Sequence, residues 1–211
     1  MKQILSALTA VTMLFSTASS VLIPTPPKHI VCVDAGHGGN DPGAMNGDIT
    51  EAEETLDIAT RLKSILEEHN YSVVMTRTNN NITLSNSDRA DICNKNHADI
   101  AIAIHLNSNP NETLDYTQGL YGTSTPYKDK KFAETLHESL AKDLNIQSVD
   151  DTDFGDNFMQ KANMPATLQE TVFISNSTEY DELTDGTGNR QQQIAQALFD
   201  GINTWFSQQK K

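Results

Sequence analysis

The sequence predicts an α/β fold: a single domain with a mostly parallel, twisted sheet flanked by helices on both faces. Three observations carry that expectation. Short continuous runs rich in β-branched residues, at 30–33, 71–76 and 100–104, read as buried strands. Stretches with helical spacing separate them, and strand–helix–strand alternation is the order of a parallel sheet with crossover helices. The length, 211 residues, suits one domain with a good core and is short for two.

The first twenty residues stand apart from the fold. Lys2 opens a positive start, residues 4–15 form an apolar run, and residues 16–20 are small and polar. That order is the pattern of a secretory signal peptide, with Ala18-Ser19-Ser20 suited to a cut after residue 20. A membrane anchor would need about 20 apolar residues, more than this run supplies. Export to the periplasm or to the cell wall and medium is therefore expected, with no stable anchor after cleavage. A linker, 21–29, holds Pro24, Pro26 and Pro27, and one catalytic-sized domain is expected over 30–208.

Within that domain, Ile30-Val31-Cys32-Val33 is the first strand, ending in the glycine-rich loop Asp34-Ala35-Gly36-His37-Gly38-Gly39. A helix follows, with Thr50 and Glu53 as a capping-box pair and Leu56, Ala59, Leu62 and Leu66 at helical spacing. Asn70 ends it, and Tyr71 to Thr76 is the second strand. A second helix from about Asn86 carries Ala90, Cys93 and Asn94. It leads into the strand Ile100 to Ile104, with His105 at its tip. Lys130 to Leu144 is expected as a helix, Ala166 to Phe173 as a strand, and Gln191 to Phe206 as an amphipathic closing helix.

The formal net charge of −13 excludes two partner classes, since nucleic acid and anionic lipid would both repel this chain. The two cysteines, Cys32 and Cys93, lack zinc-knuckle spacing. Export makes a disulfide chemically possible, but both lie in apolar settings and are expected as buried free thiols. A metal site must draw on other residues.

Of the six histidines, His29, His69, His97 and His137 lie in the linker, at a helix end, in a polar turn and on a mixed helix, where a structural role suffices. His37 and His105 differ. In open α/β sheets the site lies beyond the carboxyl ends of the strands, and both are placed on that rim. Glycines around His37 allow close backbone approach, and an imidazole at the end of an apolar run is costly to hide unpaired. Two imidazoles and a carboxylate are a usual catalytic zinc set. Glu51, in the first turn of the first helix, is the natural third ligand, although Glu53 and Glu54 share its favourable dipole position.

Several ordered blocks resemble one family. Residues 33–44 (VDAGHGGNDPGA), Glu51 before Leu56-Asp57-Ile58-Ala59, Met75-Thr76-Arg77, and residues 89–94 (RADICN) resemble the zinc-dependent N-acetylmuramoyl-L-alanine amidases of the Amidase 3 type. Residues 102–108 (IAIHLNS), 163–166 (NMPA) and 170–176 (ETVFISN) do so too, and the likeness runs from about Ile30 to Phe206. It implies His37, Glu51 and His105 as ligands of Zn2+, Glu170 as the catalytic carboxylate, peptidoglycan as substrate and a monomeric enzyme. The bond cut would be the amide between N-acetylmuramic acid and L-alanine. Three departures stand out: Val172 where the family usually has Gly, Gln169 where it has Val or Ile, and Asn80 where it has Asp. A bulkier Val172 is expected to bear on the groove. An exported zinc peptidase acting on stem peptides, and a silent peptidoglycan-binding module, are the rival readings. Were Glu170 not the proton shuttle, Glu179 and Glu182 would be the next carboxylates to test. The interval from His105 to Glu170 is also too full of ordinary elements to hold a long inserted lid.

Overall fold

The computed structural model describes residues 28–122 and 129–209, so the expected leader and most of the linker lie outside the described residues. Along the chain run β1 (Ile30–Ala35), β2 (Met45–Asn46), β3 (Ile49–Thr50), α1 (Glu51–Glu68), β4 (Ser72–Met75), α2 (Asn86–Lys95) and β5 (Ile100–Asn107). Then come β6 (Tyr116–Tyr121), α3 (Asp129–Leu144), β7 (Gln147–Ser148), β8 (Thr152–Asp153), α4 (Asn157–Lys161), β9 (Ala166–Phe173), α5 (Ser177–Leu183) and α6 (Asn189–Gln208).

The main sheet has the order β4-β1-β5-β9-β6-β7, with β8 also paired to β6. β4, β1, β5 and β9 are mutually parallel, and β6 runs antiparallel to β9. Successive strand residues point to opposite faces, and the two faces fill two separate cores. Val31, Val33, Ile102 and Ile104 join a large cluster with α1, α3 and α6. Cys32, Ala101, Ala103, Ala166 and Leu168 join a smaller one with α2 and α4. Helices therefore cover both faces, as the strand–helix alternation requires. No helix among the described residues is long and apolar enough to cross a membrane.

Local signals explain the boundaries near the site. Thr50 is extended and its hydroxyl accepts from the Glu53 amide, which starts α1 immediately after the β2–β3 hairpin. Ser85 and Asp88 form a reciprocal capping box that starts α2. Asn70 turns the chain out of α1 in the left-handed region, at φ 65°.

One expectation is corrected. Cys32 and Cys93 are joined in a disulfide, not held as free thiols. Both side chains are fully buried, but Cys93 lies on the inner face of α2, directly over Cys32 of β1. Sequence spacing cannot reveal that a helix face and a strand face meet at those two positions.

Candidate metal centre

The site forms where β1, α1, β5 and β9 converge. β1 delivers the chain into Gly36 and His37, and the Gly36 amide bonds the Ile104 carbonyl at 3.0 Å. This contact draws the loop against β5 so closely that a Cβ on Gly36 would stand 2.5 Å from Cε1 of His105. His37 itself adopts φ 59°, an unusual conformation for a residue with a side chain. Two buried arginines hold it there. Arg89 on α2 donates to the His37 carbonyl at 2.7 Å, to the Ala35 carbonyl at 2.8 Å and to Asp34 Oδ1 at 2.7 Å. Arg77 donates to the Ala35 carbonyl at 2.9 Å and the Gly36 carbonyl at 2.7 Å.

Three side chains then meet. His37 Nδ1 donates to Asp41 Oδ2 at 2.9 Å, which turns Nε2 toward Glu51 Oε2 at 3.0 Å. His105 Nδ1 lies 3.0 Å from the other Glu51 oxygen. Glu51 also accepts the Leu106 amide at 3.0 Å and the Ala44 amide at 2.9 Å. One ligand atom from each of His37, Glu51 and His105 falls within 4.8 Å of the others. The turn that allows this passes through Gly43, at φ 67°, where a Cβ would meet His37 Cδ2 at 2.6 Å.

Electrostatics follow from this packing. Burial works against the Glu51 charge, but hydrogen bonds and the charges of His105 and His37 outweigh it and hold the carboxyl well below its usual range. Burial likewise disfavours the His37 cation, yet Glu51 and Asp41 outweigh it and raise the group to about 9. Two imidazoles around an ionised carboxylate are a donor set of the kind that binds a divalent cation, and zinc in particular.

Glu170 occupies β9 at the position paired with His105 on β5. Its Oε2 is buried without a hydrogen-bond partner. Burial raises its pKa to about 6, with the histidines pulling down and the Glu51 charge pushing up. His37, Glu51, His105 and Glu170 all line one cleft of about 380 Å³. Leu120 and Leu168 supply an apolar wall, and Asn107 and Ser108 a polar edge.

The other candidates lie elsewhere. His29 stacks on Phe206, His69 bonds the Ile65 carbonyl at 2.8 Å, His97 is exposed in its turn, and His137 pairs with Asp151. Glu179 is buried against Arg190, which Glu182 also approaches at 3.1 Å, so both carboxylates serve that pair and neither lines the cleft. Glu53 caps α1 and Glu54 bonds Gln191 at 2.8 Å, leaving Glu51 as the first-turn carboxylate in the site. Sequence reasoning gave no role to Asp41, Arg77 or Arg89. The latter two stood in blocks that resemble the family, at 75–77 and 89–94, but with no role attached to them.

Known proteins carry the same frame. The sequence profile of the N-acetylmuramoyl-L-alanine amidases matches residues 31–204. The chain belongs to the N-acetylmuramoyl-L-alanine amidase family. This amidase is 28% identical over 193 residues to the germination-specific N-acetylmuramoyl-L-alanine amidase of Bacillus subtilis (strain 168), a match covering 85% of this chain and 80% of that one. It is 31% identical over 187 residues to the sporulation-specific amidase of the same strain, covering 85% and 70%. The catalytic domain of CwlV from Bacillus (Paenibacillus) polymyxa var. colistinus superposes with a TM-score of 0.77 at 27% identity, covering 85% of this chain and 98% of that one.

Two departures of this amidase from the family pattern now have physical meaning. Asn80, in place of Asp, accepts from Arg77 at 2.6 Å through a neutral side chain. Val172 does not bear on the groove as expected. A register shift in the β5–β9 pairing sets Phe173 opposite Asn107, and Val172 is buried in the large core behind the sheet.

Proposed function

We propose that this chain is an exported zinc-dependent amidase that hydrolyses the amide between N-acetylmuramic acid and L-alanine in bacterial peptidoglycan. His37, Glu51 and His105 would hold the Zn2+, and Glu170 would move the proton. One observation carries this reading: a buried, partnerless Glu170 oxygen in the same cleft as a convergent His–Glu–His set. The donor set suits zinc in chemistry and number, leaving a coordination position for substrate or water.

Zinc bound there supplies Lewis acidity to the scissile carbonyl and to the attacking water. The protein does the rest. Asp41 holds the His37 ring in one tautomer, so that Nε2 faces inward as a ligand requires. The Leu106 and Ala44 amides orient both Glu51 oxygens. Glu170 Oε2 takes a proton from water as its oxygen bonds the carbonyl carbon. The same proton passes to the alanine nitrogen as the C–N bond breaks, leaving a lactyl carboxylic acid, which then ionises to solvent, and a free stem amine. A pKa near 6 lets one group both accept and return it near neutral pH.

Extracytoplasmic action is supported by the names of the relatives, among them a probable cell wall amidase. It is supported too by the leader pattern at 1–20 and by the Cys32–Cys93 disulfide, which oxidising compartments preserve. Metal analysis with digestion of defined muropeptides tests the proposal. New L-alanine amino groups and about one equivalent of zinc are expected of a site with three protein ligands. Cuts within the stem peptide would make it a peptidase instead.

A further inference from the structure

Among the described residues two large apolar side chains stand exposed, Met45 at 62% and Phe154 at 46%. Phe154 lines the metal cleft itself, continuing the wall made by Leu120 and Leu168. Its backbone is fixed. The segment follows β8, which pairs with β6, and the Phe154 amide bonds the Tyr121 carbonyl at 2.9 Å. Close by in the chain and on the same cleft, Asp156 accepts from Asn86 across the gap between the start of α4 and the start of α2. An exposed aromatic ring on a hydrogen-bonded backbone is thus set beside a carboxylate–amide pair.

We propose that Phe154, with Asp156 and Asn86, is the subsite for the pyranose ring of N-acetylmuramic acid. The assignment rests on the amide-hydrolysis reading above. Aromatic faces are electron-rich, and the axial C–H face of a pyranose presents electropositive hydrogens to them. A carboxylate and an amide offer acceptors and donors for ring hydroxyls and the acetamido group. Charge selects between the two halves of the substrate. Asp156 stands beside Phe154 on the cleft, and its carboxylate disfavours a stem peptide bearing free carboxylates on that side and tolerates a neutral sugar. The sugar would therefore lie against Phe154 and the peptide would leave across the opposite rim.

The test compares two substrates with the same scissile amide, an N-acetylmuramoyl tripeptide and a lactoyl tripeptide without the sugar ring. With zinc-loaded protein, Phe154→Ala should raise KM for the muramoyl substrate about tenfold, with kcat changed less than about threefold. On the lactoyl tripeptide the loss in kcat/KM should shrink to about twofold or less. Phe154→Tyr should restore the muramoyl KM. Equal losses on both substrates, or no loss on either, overturn the assignment. A wild-type protein that cleaves neither would instead refute the amide-hydrolysis reading, and the subsite is then read by binding. A peptide-free N-acetylglucosamine–N-acetylmuramic acid oligosaccharide with its lactyl carboxylates capped as methylamides should shift the Phe154 ring resonances in NMR, and the absence of any shift would end the proposal.

Discussion

Glu170 stands in a strand among buried neighbours, with one oxygen that no donor reaches. A carboxylate in such a place costs free energy unless it has another use. Glu170→Gln is isosteric and should keep zinc while losing about 10²–10⁴-fold in kcat, the usual loss when a general acid–base is removed. Zinc content by metal analysis and turnover on a muropeptide separate the two effects; near wild-type rate would move the proton role elsewhere. His105→Ala should lose the metal itself. Gly36→Ala tests the close approach behind the site, since its Cβ would press on the His105 ring at 2.5 Å. Weaker zinc binding with an unchanged circular dichroism spectrum is the expected result, and unaltered affinity would show that the ring yields freely. Zinc affinity should also fall as pH falls, because imidazoles must be neutral to bind metal.

At the scale of elements, β1 and α2 act as one unit. The Cys32–Cys93 bond ties them, and Arg89, one turn before Cys93, grips the loop that carries His37. The bond closes a sequence separation of 61 residues, for which the chain-entropy account gives about 4 kcal/mol of stabilisation. Reduction, or Cys93→Ala, should lower the urea midpoint accordingly, with the slope of the transition changing as the denatured chain expands. An unchanged midpoint would mean that packing around the two sulfurs, not the crosslink, holds α2 in place. The aim of Glu51 on α1 is set outside that unit. Its start is set by the Thr50 cap, and the Ala44 and Leu106 amides complete the alignment.

For the whole molecule, the interval between His105 and Glu170 decides accessibility. Among its described residues, α3 packs into the large core and α4 into the small one, and no residue of either helix lines the cleft. A covering helix regulates by stabilising a closed state that a partner relieves, and no described helix of this interval is placed to do so. Purified, zinc-loaded protein should therefore digest peptidoglycan unaided, measured as loss of turbidity with release of amino groups. Inertness until a partner protein is added would reveal a covering segment. Exhaustive chelation should abolish that digestion and zinc should restore it; full activity in metal-free protein would end the zinc mechanism.

The sequence by itself determined the α/β class, the long strands and helices, and His37, Glu51 and His105 as candidates, because each rests on local signals, whereas Glu170 entered through the family resemblance. Continuous apolar runs marked β1 and β5, a cap marked α1, and glycines with a histidine marked the loop at 36–39. The short elements β2, β3, β6 to β8, α4 and α5 carried no continuous β-branched run and no helical spacing of the kind that marked the others. What only the tertiary structure decided are the relations across the sheet. It brought Glu170 into register with His105, bonded Cys32 to Cys93, turned Val172 into the core, and assigned Glu179 to Arg190. The Glu170–His105 and Cys32–Cys93 pairings depend on which faces meet after connections of tens of residues, and the chain's local chemistry is the same whichever way those faces pair; Val172 turns on a register shift, and Glu179 meets Arg190 across a helix junction.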